Sequence, residues 1–131
     1  MKQSIHCVQR FFFIAIFLRE TIMPFLQSFS INTDKKNPFP FHIPAVNFAK
    51  QIQLDKRVTI FIGDNGCGKS TLLESLALQL NLPLIGGFIG SHPGFEAARI
   101  LKPYMKIEWR RETSTGFFFR AEDFSDFINS V

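Results

Sequence analysis

The sequence is poor in the residue arrangements that build covalent frameworks and metal sites. Its two cysteines, Cys7 and Cys67, lie far apart in unlike contexts, without the paired spacing of a zinc site or a disulfide scaffold, which fits a reducing, cytoplasmic setting. His6, His42 and His92 are equally scattered, so each reads as a loop or packing residue before a metal or acid–base one. There is one Trp, Trp109, and its place in an alternating run favours packing over a base-stacking platform. The net charge of +4 would suit an anionic partner, but the basic residues are dispersed and Arg110–Arg111 is the nearest thing to a cluster. Direct nucleic-acid binding is therefore not the leading expectation. No internal repeat and no low-complexity tract is present.

Long apolar runs are also missing. The longest, "FFFIAIFL" from Phe11 to Leu18, is bounded by Arg10 and Arg19, whereas a membrane-crossing helix needs about 20 apolar residues. The run has the charged and apolar parts of a signal peptide but no small-residue cleavage site after it. Three readings of residues 1–22 stay open: a leader upstream of a true start at Met23, an interfacial anchor, or an ordinary buried segment. Sequencing the N-terminus of the native product separates the first from the others.

What the chain does have is apolar mass. It is 46% hydrophobic and carries 17 Phe among 131 residues, enough for a single core with large apolar faces. That length is short for a complete nucleotide hydrolase built on a large parallel sheet, so part of a domain is one expectation.

From residue 23 onward the order of elements is legible. "FLQSFSI" reads as a strand, and "NTDKKNPFPFHIP" as a loop in which Pro38, Pro40 and Pro44 block a helix. "FAKQIQL" places Phe48, Ile52 and Leu54 on one parity and reads as a second strand. "RVTIFIG" is nearly continuous apolar chain, as expected of a strand buried on both faces among parallel neighbours. After it Leu72, Leu73, Leu76, Ala77 and Leu80 recur with helical period, predicting a helix from about Lys69 with one core face that stops before Pro83.

"GGFIGSHPG" then reads as a loop, and "FEAARILK" as a short helix ended by Pro103. In "YMKIEWRRE" the alternation of Met105, Ile107 and Trp109 with Lys106, Glu108 and Arg110 is that of a half-exposed strand. "TSTG" is a turn from which "FFFRA" is expected to return as a hairpin. Phe124, Phe127, Ile128 and Val131 keep helical spacing to the end of the chain, with no C-cap.

The chemistry is concentrated in "IFIGDNGCGKSTLLESLA", Ile60 to Ala77. Gly63, four residues, then Gly68, Lys69 and Ser70 form the pattern of a phosphate-binding loop. Its glycines let backbone N–H groups approach phosphate oxygens, and the helix that follows aims its unpaired amides and positive dipole end at the same anion. Lys69 would reach the β and γ phosphates, and the Ser70 hydroxyl would ligate Mg²⁺. The whole loop, Gly63, Asp64, Asn65, Gly66, Cys67, Gly68, Lys69, Ser70 and Thr71, is the candidate site for ATP and Mg²⁺. Cys67, beside the helix start and Lys69, is the setting of a reactive thiol whose oxidation would block phosphate entry; the plainer reading is a small residue tolerated for its size.

"GDNGCGKSTLLESLA" resembles the Walker A segment of ABC-type AAA family ATPases, the branch related to SMC and DNA-repair ATPases. "PFPFHIPAV", the strand ending "WRR" and "GFFFRAEDF" are similar to segments of bacterial ATPases of this branch, so the resemblance covers about residues 23–131. It implies an α/β fold of the P-loop NTPase type: the N-terminal part of an ABC-type ATPase domain, with a mixed sheet around the Walker A strand, loop and helix. It assigns nucleotide binding to Asn65, Gly66, Gly68, Lys69, Ser70 and Thr71. It also implies a homodimer in which each site is closed by the signature motif of a partner subunit; a DNA or membrane-complex partner stays open.

The chain departs from that family in one respect that matters. A signature motif and a Walker B strand ending in Asp and Glu should follow, and neither is present: in "FFFRAED", Arg120 and Ala121 separate the apolar run from Glu122 and Asp123. The expectation is the nucleotide-binding half of an ATPase, prone to aggregate alone and weak at most in binding ATP. The alternatives are a P-loop small-molecule kinase and a non-catalytic nucleotide-binding or interaction protein.

Overall fold

A computed structural model of the chain describes residues 25–33, 38–84 and 94–120. The readings of residues 1–22 and of the final amphipathic helix lie outside these residues, as does nearly all of the "GGFIGSHPG" loop. Among the described residues seven short elements follow in order: strand β1 (Leu26–Ile31), helix α1 (Pro44–Phe48), strand β2 (Ile52–Gln53), helix α2 (Lys69–Gln79), helix α3 (Glu96–Leu101), a 3-10 turn (Lys102–Tyr104) and strand β3 (Met105–Trp109). Among the described residues no helix is long and apolar enough to cross a membrane.

The sheet is small and antiparallel, in the order β2, β1, β3. Phe29 sits opposite Ile52 on one side and Ile107 on the other, and Ile31 opposite Met105, so one apolar face is assembled from three separate stretches of chain. Ser28 and Glu108 face each other on the opposite side and are joined by a hydrogen bond. The sheet's apolar face closes over the first core with Phe41, Val46, Ala49, Leu72, Leu76 and Leu101. A second core of Leu73, Ala77, Leu78, Leu84, Phe95, Ala98 and Phe118 lies against another side of α2.

That double burial corrects the reading of α2 as a helix with one core face. Leu72 through Leu78 are all buried, including Ser75 and Glu74. The polar pair is accommodated locally: the Ser75 hydroxyl donates to the Thr71 carbonyl at 2.6 Å, and Glu74 pairs with Arg120 at 3.3 Å. The Arg120 guanidinium also lies 5.2 Å from the centre of the Phe95 ring, over its face. The helix ends where expected, with Asn81 in the left-handed region at φ 51°, ahead of Pro83.

Other expectations change more. The mixed sheet around residues 58–62 is not formed: the observed sheet is antiparallel and excludes that segment, which belongs to no strand. Val58, Ile60 and Ile62 are 72%, 67% and 76% exposed, so the segment is not buried on both faces. Only Phe61 turns inward, 6.5 Å from the Phe29 ring. A strand holds only if its backbone has partners, and the backbone of 58–62 makes no hydrogen bond among the described residues.

The "FAKQIQL" strand shrinks to two residues because Phe48 ends α1 instead, and Pro44 opens that helix where a helix was thought blocked. Proline at a first helical position loses no hydrogen bond, since that N–H has no partner in any case. The hairpin after β3 does not form either. Phe118 leaves β3, donates its N–H to the Pro83 carbonyl at 2.8 Å and bridges Leu84 in parallel. Its ring, fully buried and edge-on to Phe95, gains more apolar contact there than beside a half-exposed strand. The strand at 26–31, the helix at 96–101 with Pro103 in the turn after it, and the alternating strand at 105–109 stand as read.

Candidate functional site

The glycine-rich stretch from Gly63 to Gly68 forms a turn that runs directly into α2, which opens with Lys69, Ser70 and Thr71. Gly66 and Gly68 both adopt positive φ, 79° and 95°, a region where side-chain-bearing residues are strained. Gly68 has a second reason to be glycine: a Cβ there would stand 2.1 Å from Cγ2 of Ile43. At Gly66, by contrast, a Cβ would meet nothing within 4 Å, so the loop is open to one side.

The loop's donors are unspent. Within α2 the ladder starts with the Leu72 N–H on the Gly68 carbonyl at 2.9 Å, so the amides of Lys69, Ser70 and Thr71 precede it. These three, with those of Gly66 and Gly68, make no hydrogen bond among the described residues. A cluster of free amides at the start of an eleven-residue helix is an anion-binding arrangement.

Lys69 supplies the cation. Its ammonium donates to the carbonyls of Gly63 at 2.8 Å and Asp64 at 2.7 Å, and lies 3.6 Å from Sγ of Cys67. Three loop groups therefore hold the side chain over the turn rather than letting it extend into solvent. Ser70 is exposed at the helix start and Thr71 half-buried; Cys67 is half-buried, with its N–H on the Asp64 carbonyl. The nine sequence-derived positions thus form one continuous stretch, Gly63 to Gly68 in the turn and Lys69, Ser70 and Thr71 at the start of α2. Ser70 presents an exposed hydroxyl, of the kind a divalent cation would use, and Thr71 a half-buried one; no group of three His, Cys, Asp or Glu side chains gathers among the described residues.

The sequence reading missed what braces this turn. Ala45 in α1 donates its N–H to the Cys67 carbonyl at 3.0 Å, and Ile43 abuts Gly68. The residues just before and inside α1 are therefore part of the site's framework. The available signal was Pro44 followed by "AVNF", a helix start once proline is allowed at the first position. Trp109 is half-buried against the first core, the packing role expected of it, and Arg110 pairs with Asp55 at 3.4 Å on the surface. His42 is exposed in the turn before α1, while His6 and His92 lie outside the described residues.

Comparison with known proteins matches this unit and little else. No curated protein and no solved structure matches the chain. A family model described as an AAA domain matches residues 42–81, from the turn before α1 to the left-handed Asn81 that ends α2, and supports an AAA-type P-loop ATPase family with nucleotide binding of the ATPase kind.

Proposed function

We propose that the Gly63–Thr71 loop binds Mg-ATP, and that the chain is the nucleotide-binding half of an ABC-type AAA ATPase. The observation that carries this reading is the set of five unbonded amides from Gly66 to Thr71, wrapped around two glycines at positive φ, with the Lys69 ammonium held beside them. The amides and the helix end would take the phosphate oxygens. Lys69 would exchange its two loop carbonyls for phosphate, a stronger acceptor because it is charged. The Ser70 hydroxyl would hold Mg²⁺, which neutralises charge on the β and γ phosphates. Opening at Gly66 and closure at Gly68 fit that division, since one side must admit the ligand and the other must brace the turn.

Hydrolysis needs carboxylates to hold the metal and polarise water, and the 131 residues carry no apolar run that ends in them. In this reading they come from further polypeptide that also supplies strands beside residues 58–62. The exposed row of Val58, Ile60 and Ile62 supports it, as does the absence of backbone partners for that segment among the described residues. In the assembled ATPase two such sites would face each other across a homodimer.

Calorimetric titration tests the cradle. Weak Mg-ATP binding by the 131-residue chain is expected to vanish in Lys69→Ala, with no phosphate released above the Mg-ATP blank in either. Undiminished binding in Lys69→Ala would end the proposal for the loop, and turnover by the wild-type chain would end the proposal that it is half a site.

A further inference from the structure

We propose that residues 58–62 form a contact between two copies of this chain, an antiparallel pair of strands related by a two-fold axis at Ile60. The inference is independent of the nucleotide reading and concerns the chain without the further strands invoked there. The segment is already extended: Val58, Ile60 and Ile62 are exposed, and Phe61 turns inward against both cores, the alternation of a strand. Its N–H and C=O groups make no hydrogen bond among the described residues. An extended apolar run with an unspent backbone is a template for pairing with another strand.

The segment fits its own copy in one register. Residues directly opposite in an antiparallel pair share a face, so a two-fold axis at Ile60 sets Ile60 against Ile60 and Val58 against Ile62, and gathers the exposed apolar side chains of both copies in one row. A slip of one residue sets Ile60 against Thr59 or Phe61 and splits that row between two faces. The flanks select the same register. Lys56 before the segment and Asp64 after it are both exposed, and centring on Ile60 brings each opposite the other at both ends of the pair. Centring on Phe61 would set Asp64 against Val58, centring on Thr59 would set Lys56 against Ile62, and a parallel pair would set like charge against like. A two-fold contact of this kind is self-complementary and closes at two copies. Because it is short, the dimer is weak and forms at high protein concentration.

Sedimentation of the whole chain over a concentration series tests the contact. A monomer–dimer equilibrium without larger species is expected, and Ile60→Ser should abolish the dimer. Lys56→Glu and Asp64→Lys should each weaken it by about tenfold, and the two together should restore it. Mild oxidation reads the register, in a chain whose own cysteines are removed by Cys7→Ser and Cys67→Ser. Ile60→Cys should form a disulfide-linked dimer, because opposed positions stand about 5 Å apart. Ile62→Cys should not, because its copy lies roughly 14 Å away along the pair. A chain that stays monomeric, a dimer indifferent to Ile60→Ser, or growth beyond two copies would overturn the proposal. So would failure of the paired charge reversal to restore the dimer, or cross-linking of Ile62→Cys as readily as Ile60→Cys. None of these outcomes touches the cradle, which is read by titration with Mg-ATP.

Discussion

The two segments that flank the glycine-rich loop have similar apolar character and opposite fates. Helix α2 after the loop is buried from Leu72 to Leu78 between two cores, whereas residues 58–62 before it bury only Phe61 in part. A helix satisfies its own backbone, so it needs only side chains as neighbours, and α1, α3 and the small sheet provide them. A strand needs other strands for its N–H and C=O groups, and the three that pair among the described residues pair with one another. The loop is therefore set on a firm support behind and a bare one in front.

Substitutions on the two sides should expose this asymmetry. Leu76→Ala removes a side chain that is 1% exposed in the first core and should cost about 2–5 kcal/mol in urea unfolding. Gly68→Ala, at the junction, forces a side chain into φ 95° and against Ile43, and should cost about 1–3 kcal/mol. It should weaken nucleotide binding as well, because the displaced turn carries the free amides. Ile60→Ser should change stability by no more than about 0.5 kcal/mol and reduce self-association seen by light scattering. A cost for Ile60→Ser comparable to that of Leu76→Ala would break the comparison, since it would mean that a neighbour covers residues 58–62 in solution.

Much of the site was readable in order. Gly63, Gly68, Lys69 and Ser70 stand at the intervals of a phosphate-binding loop, and the structure places the two glycines in the turn that runs into α2 and Lys69 and Ser70 at the start of that helix. The helix itself was legible from Leu72, Leu73, Leu76 and Ala77, since its period is a local property of the chain. The environment of each element was less so. "RVTIFIG" reads as a strand whether or not partners exist, and "FFFRA" follows a turn signal whether or not a better apolar site waits elsewhere for Phe118. Pro44 likewise says that a helix cannot continue through it from before, not that none can begin there.

The sequence by itself determined the loop, its helix and the alternation of β3, because each follows from intervals of a few residues between side chains and the backbone they constrain. Only the tertiary structure decided what surrounds them: that α2 is buried on two sides, that Ile43 and Ala45 brace the turn, that Phe118 lies with Phe95, and that residues 58–62 stand without backbone partners among the described residues. Those outcomes depend on contacts between residues distant in the chain, where competing apolar surfaces are settled by which burial gains most and not by any local spacing.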